Sequence, residues 1–175
     1  ILDINNLEHG EPGWRNVPTD ADAVLDRAVE VCTALALQRN MRIVVEKQSP
    51  HTWVDADADR LNQVLINLIS NAIKYNDADQ PMVEVRSRAS RDAYIFEVAD
   101  NGSGIPADQG VLIFEKFARG TQGASSAPGA GLGLTISRQI ISRMNGKLEL
   151  VPSRSGGACF RITLPPSAHP EARPS

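Results

Sequence analysis

The sequence predicts an α+β protein in which about three helices pack on one face of a mixed β-sheet. Three segments have the apolar spacing of amphipathic helices, and the segments that read as strands occur in groups rather than alternating strictly with helices. The chain has 175 residues, of which 42% are hydrophobic. That length and composition suit roughly one globular domain with a short appendage.

Each element is read from its apolar spacing and from the residues that end it. The first ten residues have the spacing of a helix that ends at Gly10, and residues 11–18 read as a connector with room for one short strand. The main helices have apolar residues every three or four positions, at 20–37, 55–75 and 132–144. The strands are short β-rich or alternating segments, at 41–46, 52–54, 82–87, 93–98, 147–151 and 158–164. Either Thr19 or Asp20 caps the first of the main helices.

Composition argues against several classes of protein. A net charge of −3 is unlike that of a general nucleic-acid binder, which usually has a basic face. No apolar run approaches the length of about 20 residues that a transmembrane helix needs. Cys32 and Cys159 lie far apart with no CxxC pattern, so we expect two small buried hydrophobic side chains in a reducing compartment. His9, His51 and His169 share no ligand spacing, which argues against a zinc site.

A polar stripe runs along the predicted helix at 55–75. Asn67, Asn71 and Lys74 fall on one narrow line, with Gln63 one turn earlier on the same side. Asn is a poor helix former, and a solvated face would ordinarily carry Glu, Lys or Arg. Two amide oxygens placed together can complete a Mg²⁺ shell that a nucleotide's phosphates and water mostly supply. Taken alone, the stripe leaves a solvated face as the alternative.

Two glycine-containing segments follow. Residues 100–106, Asp-Asn-Gly-Ser-Gly-Ile-Pro, come directly after a predicted strand, where glycines let the backbone approach a flat ligand and the Asp can accept a hydrogen bond from an exocyclic amine. Residues 129–134, Gly-Ala-Gly-Leu-Gly-Leu, open a helix, and free N–H groups at such a place favour phosphate. Neither a P-loop nor a Rossmann fingerprint is present. Each segment alone is a weak signal, since a plain turn has similar residues.

Together, and in this order, these motifs resemble the catalytic ATP-binding domain of sensor histidine kinases. The resemblance covers roughly residues 16–165. The segments similar to the family's N, G1, F and G2 boxes are residues 67–75, 100–106, 114–119 and 129–134. The resemblance implies a Bergerat-type fold, a two-layer α/β sandwich with a mixed, mostly antiparallel sheet. It also implies that a flexible lid, at 121–128, closes over bound ATP.

The resemblance implies a role for each matching residue. Asn71 should be the principal Mg²⁺ ligand, supported by Asn67, and Lys74 and Arg119 should meet the phosphates. The implied catalytic residues are Asn71, Lys74 and Arg119. Tyr75 should lie against adenine. Asp100 should accept a hydrogen bond from the adenine amino group, and Gly102 and Gly104 should shape the adenine pocket. Gly129, Gly131 and Gly133 should let the lid fold onto the phosphates. Ile105 and Leu132 are also implied to bind the nucleotide. The two aromatic residues implied to anchor the lid are Phe114 and Phe117.

One position bears on the type of reaction. Related ATPases of the same fold have a Glu, the general base for water, one turn before the metal-binding Asn, and this chain has Asn67 there. An amide cannot take a proton at neutral pH. The resemblance therefore implies that the domain binds ATP and Mg²⁺ and donates the γ-phosphate to a histidine on a separate dimerisation domain. The segment around His9 resembles the end of that domain's second helix. The phosphoacceptor histidine should therefore lie upstream, so we do not expect this chain to phosphorylate itself.

These expectations define three regions. Residues 1–15 read as the end of a dimerisation helix plus a connector, residues 16–165 as the catalytic ATP-binding domain, and residues 166–175 as a Pro-rich tail or linker. Because the sequence begins at Ile1 rather than Met, we expect it to be part of a longer protein. The domain itself is expected to be cytoplasmic, without membrane contact, and membrane anchoring of the full-length protein stays open.

The implied partners are the protein's own dimerisation domain and the receiver domain of a response regulator. The full-length protein is expected to be a homodimer and this chain a monomer, with no nucleic-acid partner. Two alternatives remain at this stage. One is a catalytically silent, kinase-like interaction module, which a nucleotide titration with and without Mg²⁺ would distinguish. The other is a serine protein kinase similar to the anti-sigma kinases, which the upstream sequence would distinguish.

Overall fold

The structure is a computed structural model that describes residues 13–48, 53–110, 112–114 and 130–167. Its helices and strands, in chain order, are β1 Val17–Asp20, α1 Ala21–Gln38, β2 Arg42–Lys47, β3 Trp53–Ala56, α2 Ala58–Lys74, β4 Met82–Ala89, β5 Tyr94–Asp100, α3 Ala130–Arg143, β6 Lys147–Val151 and β7 Cys159–Leu164. Two single turns of 3-10 helix, Ala107–Gln109 and Leu112–Phe114, precede α3. The predicted helix end before Gly10, the implied lid and all three histidines lie outside the described residues.

The described strands form one five-stranded sheet and one two-stranded ribbon. The sheet has the order β2-β4-β5-β7-β6, in which β2 and β4 are parallel and every other neighbouring pair is antiparallel. β1 and β3 pair antiparallel beside it. The mixed, mostly antiparallel sheet that the sequence predicted is therefore confirmed.

The helices pack on one face of this sheet. Successive side chains of a strand point to opposite faces, and the buried residues on β4, β5 and β7 alternate accordingly: Val83, Val85, Tyr94, Phe96, Val98, Ile162 and Leu164. α2 contacts β4 and β5, and α3 contacts β6. The opposite face is polar and partly exposed, with Arg86, Glu97 and Arg161 among its side chains. The protein thus has the two layers that the sequence predicted.

α2 supplies much of the core. Its apolar stripe is buried along its whole length, at Leu61, Val64, Leu65, Leu68, Ile69, Ala72 and Ile73. Full burial of a Leu or Ile side chain stabilises the fold by about 1.5–3 kcal/mol. The predicted start at residue 55 was too early, because Asp55 and Ala56 belong to β3 and Asp57 caps the helix by accepting hydrogen bonds from the backbone of Asp59 and Arg60, both at 3.1 Å.

Other boundaries also depend on caps and strand pairing. Asp20, not Thr19, caps α1, since its carboxylate accepts from the backbone of Asp22 and Ala23. Thr19 instead donates its hydroxyl proton to the carbonyl of Ala56, at 3.0 Å. α3 begins two residues earlier than predicted. Cys32 and Cys159 are free and buried, as expected.

One buried polar group was not foreseen. Tyr94 Oη donates to Asp22 Oδ1 at 2.5 Å, and Ser87 Oγ donates to the same oxygen at 3.3 Å. All three residues are buried. Desolvation, reinforced by the hydrogen bond to Asp22, raises the pKa of Tyr94 well above its ordinary value. The hydrogen bonds tie the start of α1 to β4 and β5.

Candidate nucleotide-binding site

α2 and α3 meet at Asn67. Asn67 Nδ2 donates to Ser137 Oγ of α3 at 3.1 Å. A Cβ atom placed on Gly133 would lie 3.1 Å from Asn67 Oδ1, so the glycine lets α3 approach this side chain closely. The structure therefore brings together a residue of the N-box segment and a residue of the G2-box segment, which lie far apart in the chain.

Asn71 and Lys74 continue the same stripe of α2. Asn71 is half-buried and Lys74 is exposed. Within the described part of the chain, neither side chain makes a hydrogen bond or an ion pair with protein. The end of the helix is held by its backbone, since Tyr75 N donates to Asn71 O at 3.0 Å and Arg39 Nη1 donates to Lys74 O at 3.2 Å. An amide oxygen and an ammonium group are thus left on one side of a fixed helix.

The donor set here fits magnesium only in combination with a nucleotide. Neutral amide oxygens supplement phosphate oxygens and water around Mg²⁺ and do not replace them. Among the residues that the structure describes, no group of three or more His, Cys, Asp or Glu side chains could hold a metal ion. Asn71 and Asn67 therefore suit an ion that arrives with phosphates.

Asp100, the last residue of β5, has one carboxylate oxygen fixed by backbone donors. Asp100 Oδ1 accepts from Gly102 N at 2.9 Å and from Ala158 N at 3.3 Å. Over the described ranges no protein group donates to the other oxygen, Oδ2. Burial raises the pKa of Asp100, and the two backbone hydrogen bonds partly oppose that shift. The arrangement orients Oδ2 to accept a hydrogen bond from a ligand.

Gly157 packs directly against Asp100. A Cβ atom on Gly157 would lie 2.2 Å from Asp100 Oδ1 and 2.3 Å from the Asp100 carbonyl oxygen. Only glycine fits at this distance, because an added carbon would overlap both oxygens. Gly157 lies in the turn between β6 and β7, so that turn packs against Asp100. This contact was not predicted from the sequence.

A second set of hydrogen bonds joins the end of α2 to the segment after β5. Asp77 accepts from Ser103 N and Ser103 Oγ, each at 2.7 Å, and these bonds lower the pKa of Asp77. Asn101 Oδ1 accepts from Asn76 Nδ2 at 3.0 Å and from Met82 N at 2.9 Å. Asn76 and Asp77 were missed from sequence. The only available signal was their position just after the polar stripe.

The remaining G1-box residues shape the same turn. Gly104 has a φ of +82°, a conformation that L side chains rarely adopt, and a Cβ atom there would lie 3.3 Å from the Gly156 carbonyl oxygen. A Cβ atom on Gly102 would lie 2.8 Å from Asp77 Oδ1. Ile105 is half-buried, and Tyr75, at the end of α2, is 48% exposed. The turn is therefore compact, and the Tyr75 ring at the end of α2 is exposed.

Phe114 is buried in the body of the domain. Its ring lies 6.0 Å from that of Phe160 in an edge-to-face arrangement, and the Arg138 guanidinium lies 4.5 Å from its centroid. Thr135 Oγ1 donates to the Phe114 carbonyl at 3.0 Å. The chain is thus anchored to the body of the domain at Phe114, before the segment implied to form the lid.

Several predicted site residues fall outside this description. Arg119, Phe117 and Gly129 lie outside the described residues. Gly131 and Leu132 lie in the first turn of α3, and only their backbone is described.

The family model for histidine kinase-, DNA gyrase B- and HSP90-like ATPases matches residues 56–168. That span includes α2, the Asp100 turn and α3, and the chain belongs to this family. Within it, the fold is that of the catalytic ATP-binding domain of sensor histidine kinases. No described helix is both long and apolar enough to cross a membrane.

The chain is similar to parts of much longer curated proteins. It is 41% identical over 122 residues to the sensor protein KdpD of Escherichia coli, a match that covers 70% of this chain and 13% of KdpD. It is 33% identical over 167 residues to the aerobic respiration control sensor protein ArcB of Escherichia coli, covering 94% of this chain and 21% of ArcB. The chain therefore spans between an eighth and about a fifth of the length of these relatives.

Solved structures show the same architecture. The mycobacterial sensor histidine kinase MprB superposes with a TM-score of 0.74 at 28% identity, covering 86% of this chain and 98% of that one. Full-length ShkA in complex with AMPPNP superposes with a TM-score of 0.80 at 28% identity, covering 94% of this chain and 34% of that one.

Proposed function

We propose that this domain binds ATP with Mg²⁺ and donates the γ-phosphate to a histidine on a separate dimerisation domain, for two-component signalling to a response regulator. The observation that carries the proposal is the Asp100 carboxylate. One of its oxygens is fixed by Gly102 N and Ala158 N, and among the described residues no protein group donates to the other. Membership in the ATPase family supports the same assignment.

The base would bind at the Asp100 end of the site. Asp100 Oδ2 accepts a hydrogen bond from the adenine amino group, and the Tyr75 ring lies against the base. Gly102, Gly104 and Ile105 form the turn beside it. Asp77 and Asn101 are positioning residues, because their hydrogen bonds hold that turn against the end of α2.

The phosphates would bind along the polar stripe of α2. Magnesium, when bound, neutralises charge on the phosphate oxygens and orients them. Asn71 would hold the ion through its amide oxygen, and Lys74 and Arg119 would contact the phosphates. The backbone of the segment that contains Gly129, Gly131, Leu132 and Gly133 provides N–H groups for phosphate oxygens.

Asn67 has a double role in this proposal. It supports the metal site, and its hydrogen bond to Ser137 holds α3 against α2. It cannot act as a base towards water, since its nitrogen already donates to Ser137 and an amide does not take up a proton at neutral pH. Bound ATP therefore persists until an imidazole nitrogen attacks the γ-phosphorus and ADP leaves.

Incubation with γ-labelled ATP tests the proposal. The chain alone should bind ATP without acquiring stable label on a histidine, and a version extended upstream to include a dimerisation domain should acquire acid-labile label. The Asp100→Ala variant of the extended version should lose most of that label. Stable histidine label on the chain alone, or none on the extended version despite ATP binding, would contradict the proposal.

A further inference from the structure

A cavity of about 280 Å³ lies on the polar face of the sheet. Four arginines line it: Arg86 and Arg88 from β4, Arg161 from β7, and Arg154 from the turn between β6 and β7. Glu97 of β5 is the acidic residue among the lining side chains.

This cavity is separate from the proposed ATP site. Along β5, Glu97 points to the face opposite to that of the buried residues Phe96 and Val98. Asp100 continues the register of Phe96 and Val98 and so lies towards the helices. The cavity and the Asp100 pocket therefore occupy opposite faces of the same strand.

The charge of the cavity contrasts with that of the chain. Its lining carries four guanidinium groups and one carboxylate, and Glu84, outside the lining, pairs with Arg86, whereas the whole chain has a net charge of −3. A concave site with one sign of charge concentrates ligands of the other sign. The favoured ligand is accordingly an anion with more than one negative charge.

The existing ion pairs leave guanidinium donors unused. Arg161 Nη2 lies 3.5 Å from Glu97 Oε2, Arg88 Nε lies 3.9 Å from Glu97 Oε1, and Arg86 Nε lies 3.9 Å from Glu84 Oε2. The Nε atoms of Arg86 and Arg161 are buried and have no hydrogen-bond partner among the described residues. A buried donor without a partner is costly, and an oxyanion that accepts from it removes that cost.

We propose that this cavity is a binding site for a small phosphate-bearing anion. Guanidinium groups present forked donors that match phosphate oxygens, and a phosphate monoester carries close to two negative charges at neutral pH. The volume is near the lower end of that of small-molecule sites, about 300 Å³. It suits a compound with one or two phosphate groups.

Side-chain NMR of the full 175-residue chain, labelled with ¹⁵N-arginine, tests this with pyrophosphate as the probe and without Mg²⁺. The Nε–Hε signals of Arg86 and Arg161 should shift saturably with pyrophosphate. The shifts should persist in Lys74→Ala, which alters only the proposed ATP site. In the double variant Arg88→Gln with Arg154→Gln, two exposed positions, the affinity should fall about tenfold or more.

Three results would overturn the proposal. One is that the two signals do not move at millimolar pyrophosphate. Another is that they move equally with sodium chloride at the same ionic strength. The third is that they respond to an oligoaspartate peptide and not to pyrophosphate, since that would identify an acidic protein segment as the ligand.

A loss of affinity could also arise from misfolding, so a second variant is chosen for which the expected result is a gain of affinity. Glu97→Gln removes the carboxylate that competes for Arg88 and Arg161, so pyrophosphate should bind severalfold more tightly. Circular dichroism verifies that the variant is folded. Unchanged or weaker binding by folded Glu97→Gln would count against the proposal.

Discussion

Replacing Gly157 by alanine tests how the site is built. The added Cβ would lie 2.2 Å from Asp100 Oδ1 and 2.3 Å from its carbonyl oxygen, which is too close by about 1 Å. Either the β6–β7 turn or Asp100 must move. The hydrogen bonds from Ala158 N to Asp100 Oδ1, at 3.3 Å, and from Asp100 N to Ala158 O, at 3.0 Å, would stretch accordingly.

The expected effect follows from what Asp100 is proposed to do. A displacement of about 1 Å is enough to break a hydrogen bond between Asp100 Oδ2 and the adenine amino group. A hydrogen bond to a charged group contributes roughly 1.5–3 kcal/mol, so ATP affinity should fall by between about 10-fold and 150-fold. Calorimetric titration of folded Gly157→Ala with ATP and Mg²⁺ measures this directly.

Gly156→Ala is a matched control in the same turn. Gly156 has a φ of +86° and no atom within 4 Å of an added Cβ. Alanine there should lower the free energy of unfolding by about 1–2 kcal/mol through backbone strain and leave ATP affinity unchanged. If Gly157→Ala binds ATP as tightly as the wild type, the close contact does not position Asp100 and this reasoning fails.

Three further predictions concern charge and burial. Asn71→Asp should abolish phosphotransfer by the upstream-extended protein, because the added charge alters the balance between Mg²⁺ and phosphate, and circular dichroism should show an intact fold. Tyr94→Phe should lower the free energy of unfolding by about 1–3 kcal/mol in urea denaturation, because it removes the donor at 2.5 Å from buried Asp22. ATP affinity should fall with decreasing pH as Asp100 is protonated, and because burial raises the pKa of Asp100, the midpoint of the fall should lie above the ordinary aspartate value of 3.8.

Each has a result that would contradict it. Full phosphotransfer by Asn71→Asp would exclude Asn71 as the principal metal ligand. A loss below about 0.5 kcal/mol in Tyr94→Phe would mean that Asp22 finds another donor. The pH dependence of ATP affinity should disappear in Asp100→Asn, so an identical profile in that variant would assign the dependence to another group.

The raised pKa of Asp100 also affects the stability of the fold. Its contribution to stability is fully present below the pKa of Asp100 in the unfolded chain, and that contribution is lost as pH rises through the pKa in the folded protein.

The helices could be predicted because local patterns determine them. The apolar spacing of α2 and the Asp residues at both of the described N-caps are visible within a few residues of sequence. The predicted start of α2 was too early because neither Asp55 nor Ala56 interrupts the helical pattern in the sequence. Their pairing with β1 is a contact between distant segments, which that pattern does not reveal.

The features of the site likewise separate into those that local sequence predicts and those that it does not. The Asp100 turn and the stripe of α2 were predicted, since the motifs that contain them are contiguous. The contacts of Asp77 with Ser103 and of Gly157 with Asp100 join segments 26 or more residues apart, and no local pattern encodes them. The cavity on the polar face was missed for the same reason, because its arginines come from separate strands.

A calorimetric titration of the 175-residue chain with ATP, in Mg²⁺ and then in excess chelator, tests the central claim most directly. We expect saturable one-to-one binding well below about 1 mM ATP, weaker without Mg²⁺, and at least about tenfold weaker in Asp100→Ala. Absence of binding up to millimolar ATP would contradict the account and would favour a kinase-like interaction module without nucleotide chemistry.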